Sequence, residues 1–179
     1  VIRTPMGGRR GYGPSHSQSL EKHFLGVPGL HVLAPAALGS PGDLLKRAIL
    51  ETQDPVLFIE NKLLYLQPLQ PAEADDFTIE TLPESAGAAW QGLPEPVFSA
   101  PCYRLRVRGA PAPQLTLGAY GHMASLAQQS VLELAYEHEL FCELIVPTRL
   151  APVSASEIIA SAADTGRLLA LEEGTRSLG

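Results

Sequence analysis

Residues 11–21 read GYGPSHSQSLE and set one imidazole, His16, among three serines, two glycines and a proline. An imidazole titrates near neutrality, so a histidine offered by an irregular loop can accept or donate a proton in general acid-base chemistry. The residues leave two readings open: the loop presents His16 to something, or the ring packs beside Ser17 as part of a helix cap. His31, His122 and His138 read as structural, with His122 a solvent-facing neighbour of a helix cap. Glu60 in the run PVLFIENK reads as a satisfied polar group at a strand end. Cys102 and Cys142 stand outside any C-x-x-C pair, so neither a disulfide framework nor a zinc site is indicated.

The elements that must position these groups follow from periodicity. A strand over 1–4 leads into a glycine-rich loop, Met6 to Ser15, and a helix is expected from about Ser17, with Leu20 and Phe24 on one face and its end at Gly26. GLHVLAP reads as a buried strand ended by Pro35. Ser40-Pro41-Gly42-Asp43 has a serine cap, then proline where its missing N–H costs least, then an acid three residues after the cap. That pattern starts a helix carrying Leu44, Leu45, Ala48 and Ile49. PVLFIE, residues 55–60, is a continuous apolar run of the kind buried on both faces of a parallel sheet.

Between Leu66 and Pro113 the pattern dissolves into prolines and isolated strand-like patches, DFTIETL and CYRLRVR, and the stretch reads as a decorated linker. Order returns with strand QLTLGAYG, a helix from His122 to His138, strand LFCELIV, and a capping box at Ser154–Glu157 that opens a helix closed by Gly166. Strand RLLALEE follows. Strand-helix-strand-helix-strand in this order is the right-handed parallel crossover unit. The expected fold is therefore α/β with two three-layer, parallel-sheet domains, at 1–66 and 113–179, joined by a linker with an insertion at 67–112.

The chain has 179 residues, is 45% hydrophobic and carries a net charge of −6. No basic run exceeds the pair Arg9-Arg10, which excludes a nucleic-acid footprint. No stretch of eighteen apolar residues occurs to cross a membrane, and the cysteine usage fits a reducing cytoplasm. VIRTP at the amino end reads as a strand already under way, so a fragment or cleaved product is expected.

RTPMGGRRGYGPSHSQSLEKHFLGVPGLHVLAP, LLKRAI and DPVLFIENKLLY together resemble the β subunit of thiamine-diphosphate-dependent 2-oxo acid dehydrogenases of the pyruvate and branched-chain type. LTLGAYGHM and DTGRLLALEEG resemble the carboxyl-terminal domain that this family shares with transketolases. The resemblance makes 1–66 the second half of a pyrimidine-binding domain, and it implies that the half bearing the cofactor-binding glutamate is absent. It implies thiamine diphosphate with Mg2+ held mainly by an α subunit, a second β subunit, and delivery of the acyl group to a lipoyl acyltransferase core. It gives His16 the catalytic role: facing the thiazolium, the ring would stabilise an alkoxide or enamine oxygen, or donate a proton as the dithiolane opens. It also places a monovalent cation, usually potassium, on backbone carbonyls at Ala48 and Asp54. No cofactor-binding residue is assigned within the chain, and the chain alone is expected to be inactive. Two other functions fit the same resemblance: a non-catalytic docking module of the complex, or a fragment of a transketolase or deoxyxylulose-phosphate synthase.

Overall fold

The computed structural model describes residues 1–8, 11–70, 76–82, 99–153 and 155–174. Its first sheet has the order β1-β3-β2-β8, formed by β1 (Ile2–Met6), β3 (Val56–Asn61), β2 (His31–Leu33) and β8 (Arg149–Ala151). PVLFIE sits where its composition demands. β3 lies between two parallel neighbours, with Ile2 opposite Leu57 and Val32 opposite Leu57 on the other side, and its first four residues are buried.

Helix α1 (Pro41–Leu50) starts as the sequence predicts, with the Ser40 hydroxyl accepting from the Asp43 N–H at 3.2 Å. Its Leu44 and Ala48 pack with Leu33, Val56 and Phe58 on one face of the sheet.

The second sheet has the order β4-β5-β7-β6-β9, formed by β4 (Phe77–Leu82), β5 (Cys102–Val107), β7 (Cys142–Pro147), β6 (Leu115–Ala119) and β9 (Leu168–Leu171). β6 pairs in parallel with both β7 and β9, the expected crossover arrangement, built by α2 (Gly121–His138) and α3 (Ser156–Thr165). Gly166 closes α3 in the left-handed conformation, at φ 71°, as the sequence predicts. Ser154, the expected cap of this helix, lies outside the described residues; Ala155 flanks the helix without a side-chain cap bond.

Three expectations need correcting. First, the helix expected from Ser17 is absent. Residues 14–16 and 21–23 form two 3-10 turns, and Leu20, Phe24, Leu25 and Val27 stay 39–46% exposed. An apolar face that packs so little on the described residues does not repay helix nucleation over so short a run. Second, the two patches within the expected linker are strands. β4 pairs antiparallel with β5, and β5 with β7, so the parallel core of the second sheet carries an antiparallel edge. Phe77, Tyr103 and Leu105 alternate inward to the cluster formed with Leu117, Val131 and Leu144, which is the burial that fixes these strands. Third, β8 was not legible at all. It leaves the second sheet after β7 and adds antiparallel to β2, with Ala34 N–H donating to Thr148 O at 2.8 Å, so the first sheet too is mixed. The two sheets are thereby tied by main chain as well as by packing.

Candidate functional site

The loop from the end of β1 to Gln18 is closed at its neck by Gly7 N–H donating to Gln18 O at 3.1 Å. Gly7 is required at this point: its φ is +95°, and a Cβ there would lie 2.5 Å from Asn61 Nδ2. Within the loop, Gly13 at φ +75° and Pro14 set up the 3-10 turn that ends on His16. Lys62 Nζ, from the end of β3, donates to the His16 carbonyl, and the same ammonium stands 5.7 Å from the Tyr12 ring centre.

His16 is exposed, and Ser17 begins no helix. The ring is thus not packed at a cap. The segment from 12 to 27 around it also exposes large apolar groups, with Tyr12 61% exposed and Val27 46%.

Beside this loop, the two halves of the chain meet in a small recess lined by Met6, Ser19, Glu21, Asn61, His122 and Glu173 among others. Glu21 is 5% exposed; its Oε1 accepts from the Tyr120 hydroxyl at 2.6 Å, and its buried Oε2 accepts no hydrogen bond among the described residues. Burial, then the bond to Glu21, raises the Tyr120 phenol above its ordinary pKa. Because the folded value is raised, this contribution is present below the ordinary phenol pKa of about 10 and is lost as pH rises above it. Tyr120→Phe should leave both Glu21 oxygens unbonded and cost about 1–3 kcal/mol, measured as a lowered urea midpoint with an unchanged slope. An unchanged midpoint would show that the pair contributes nothing.

The other candidates from the sequence fall elsewhere. His122 is not solvent-facing: it is 8% exposed and lines the recess at the start of α2, whose Ala124, Ala127 and Val131 pack on the second sheet. His31 is buried, with Nε2 3.2 Å from Asp54 Oδ2, while His138 is exposed at the end of α2. Glu60 accepts from Arg3 at 2.7 Å and from the Tyr65 hydroxyl at 3.3 Å, the satisfied strand-end role read from sequence.

Ala48 and Asp54 line one groove with Thr52 and Gln53 at the end of α1, where Asp54 N–H donates to Thr52 Oγ1 at 3.1 Å. No group of three His, Cys, Asp or Glu suited to a metal ion occurs among the described residues. No described helix is long and apolar enough to cross a membrane.

The sequence reading missed Glu21, Asn61 and Glu173. The Gly7-Gly8 pair signals a close neighbour, but it cannot say which side chain that is.

No family model matches the chain. Curated relatives do. The chain is 32% identical over 174 residues to the pyruvate dehydrogenase E1 component subunit beta-1 of Arabidopsis thaliana, covering 97% of this chain and 42% of that one. It is 34% identical to the 2-oxoisovalerate dehydrogenase subunit beta of Pseudomonas aeruginosa, covering 100% and 48%. It is 30% identical to the 3-methyl-2-oxobutanoate dehydrogenase subunit beta of Mycobacterium tuberculosis, covering 100% and 44%. The chain therefore spans less than half the length of these relatives.

Among solved structures, a split-gene transketolase described as an inactive beta4 tetramer matches with a TM-score of 0.59 at 18% identity, over 99% of this chain and 49% of that one. A transketolase from Leishmania mexicana matches with a TM-score of 0.55 at 16% identity, over 95% and 22%. At these identities the structures show a common fold alone. On a fold shared with transketolases, the chain is a homologue of the β subunits of pyruvate and 2-oxoisovalerate dehydrogenases, matching less than half the length of each.

Proposed function

We propose that this chain is the part of a 2-oxo acid dehydrogenase β subunit that offers His16 to thiamine diphosphate held mainly by an α subunit, for oxidative decarboxylation and acyl transfer to a lipoyl arm. The observation that carries the reading is an exposed imidazole on a loop whose neck is closed, within a segment that leaves Tyr12, Leu20, Phe24 and Leu25 exposed. Exposed apolar groups of that size around a polar centre are the mark of a surface meant to be covered. The cover is assigned to the α subunit, and the β subunit pairs with a second copy. The acyl group is handed to the lipoyl acyltransferase core.

The residues present fit one end of the cofactor only. By the resemblance, the Mg2+-diphosphate end is assigned to the α partner and the reacting end to His16. When bound, thiamine diphosphate supplies the electron sink for loss of carbon dioxide.

His16 then acts on the acceptor. As the dithiolane S–S bond breaks and one sulfur takes the acyl carbon, the other leaves as a thiolate. A ring N–H of protonated His16 gives that sulfur its proton, and the ring regains one from solvent after the acylated arm has left. The neighbouring apolar groups, once covered, keep bulk water from the reacting centre. The same reading puts a potassium-type cation at the carbonyls of Ala48 and Asp54, supported by their place in one groove. The test is His16→Ala in the complete β subunit assembled with its α partner: acyl transfer to lipoyl falls while assembly persists, and parental transfer would overturn the assignment.

A further inference from the structure

A carboxylate from the far end of the chain reaches the root of the His16 loop. Glu173, just after β9, accepts from Gly8 N–H through Oε1 at 2.7 Å and from Asn61 Nδ2 through Oε2 at 2.8 Å. The Asn61 amide is held from its other side as well, its Oδ1 accepting from Leu63 N–H at 3.0 Å. Lys62 N–H donates to Met6 O at 3.0 Å, which joins the end of β3 to the end of β1 at the same level.

Both glycines of the pair stand against this clamp. Beyond the Gly7 constraint, a Cβ on Gly8 would stand 3.2 Å from Glu173 Oε1 and 3.3 Å from Ser17 O. The bonds that Glu173 accepts are charge-assisted and part-buried, the stronger class of hydrogen bond.

We propose that Glu173 is a positioning residue for His16: its carboxylate latches the neck of the His16 loop to the end of β3, so the aim of the imidazole depends on the carboxyl-terminal half of the chain. Its effect on turnover rests on the role given to His16 above; the latch itself does not. Asn61 ends β3 and Gly8 follows β1, both strands of the first sheet, whereas Glu173 follows β9, which pairs with β6 in the second.

The test uses the complete β subunit with its α partner, in the parent and in Glu173→Ala, Glu173→Gln and Gly8→Ala. Hydrogen exchange of the peptide covering residues 11–20 reads the latch directly. Glu173→Ala is expected to speed it roughly tenfold to a hundredfold, the factor for losing one or two charge-assisted bonds. Glu173→Gln, with one acceptor oxygen for two donors, should fall between Glu173→Ala and the parent. Acyl transfer to lipoyl should lose kcat in the same order, with KM for the 2-oxo acid unchanged, a split that general destabilisation would not produce.

Unchanged exchange, or faster exchange with parental acyl transfer, overturns the proposal. Should Glu173→Ala fail to fold, Gly8→Ala decides in its place, since it attacks the same contact from the loop side. His16→Ala run in parallel separates the two claims: parental transfer in that variant removes the role of His16, and exchange alone then judges the latch.

Discussion

Replacing His16 with alanine in the assembled enzyme is expected to lower acyl transfer to lipoyl about 100-fold or more, the range seen when a positioned acid-base group is lost. Stability should barely move, by less than about 0.5 kcal/mol, because the side chain is exposed and its backbone bonds are kept by alanine. The two readouts together make the prediction specific. A residue that mattered through folding would move the melting temperature along with the rate. A His16→Gln variant keeps hydrogen-bonding capacity without a titrating nitrogen, so it should resemble alanine in rate if proton donation is the role.

The second large effect concerns stability. Gly39 has φ +59°, and a Cβ at that position would lie 1.9 Å from the Tyr103 hydroxyl oxygen and 2.7 Å from Cζ. Tyr103 is 5% exposed and packs in the core of the second sheet with Ala36 and Leu38, the residues just before Gly39. Its ring cannot swing into solvent without opening that core. Gly39→Ala therefore combines left-handed backbone strain with overpacking, and should cost about 2–4 kcal/mol as a lowered urea midpoint. Adding Tyr103→Leu should return part of the loss, since the two sites share one contact. A midpoint unchanged by Gly39→Ala would show that this junction of the two sheets is looser than its geometry.

What the sequence discloses, and what it hides, follows from the range of the forces involved. β3 was legible because four consecutive residues, Val56, Leu57, Phe58 and Ile59, carry the apolar run that two parallel neighbours impose. α1 and the end of α3 were legible because Ser40 and Gly166 act within a turn of themselves. The helix expected at Ser17 failed for the opposite reason: Leu20 and Phe24 have the right spacing, but both stay 39% exposed, with too little surface among the described residues to pack on. β4 and β5 read only as strand-like patches in a linker because each is a short alternating run among prolines, and their place in the second sheet comes from β4 pairing with β5 and β5 with β7.

The site divides in the same way. His16 could be singled out from its own neighbours and from the resemblance they carry. Glu173 lies 165 positions from Gly8, and Tyr120 lies 99 from Glu21, separations across which no local pattern reports a hydrogen bond. His122 was misjudged because the turn at Gly121 is visible, whereas the surface it turns toward is not.

The central claim, that this chain offers an imidazole to chemistry completed by a partner polypeptide, is tested most directly by the carbethoxylation rate of His16, read by mass spectrometry, in the isolated β subunit and after assembly with α and thiamine diphosphate. His138, exposed at the far end of α2, serves as the internal reference. Rapid modification of His16 is expected in the isolated subunit, with about tenfold or greater protection on assembly, the scale for a group moved from open solvent into a covered interface, and His138 unchanged. Equal rates at His16 in both states would contradict that claim.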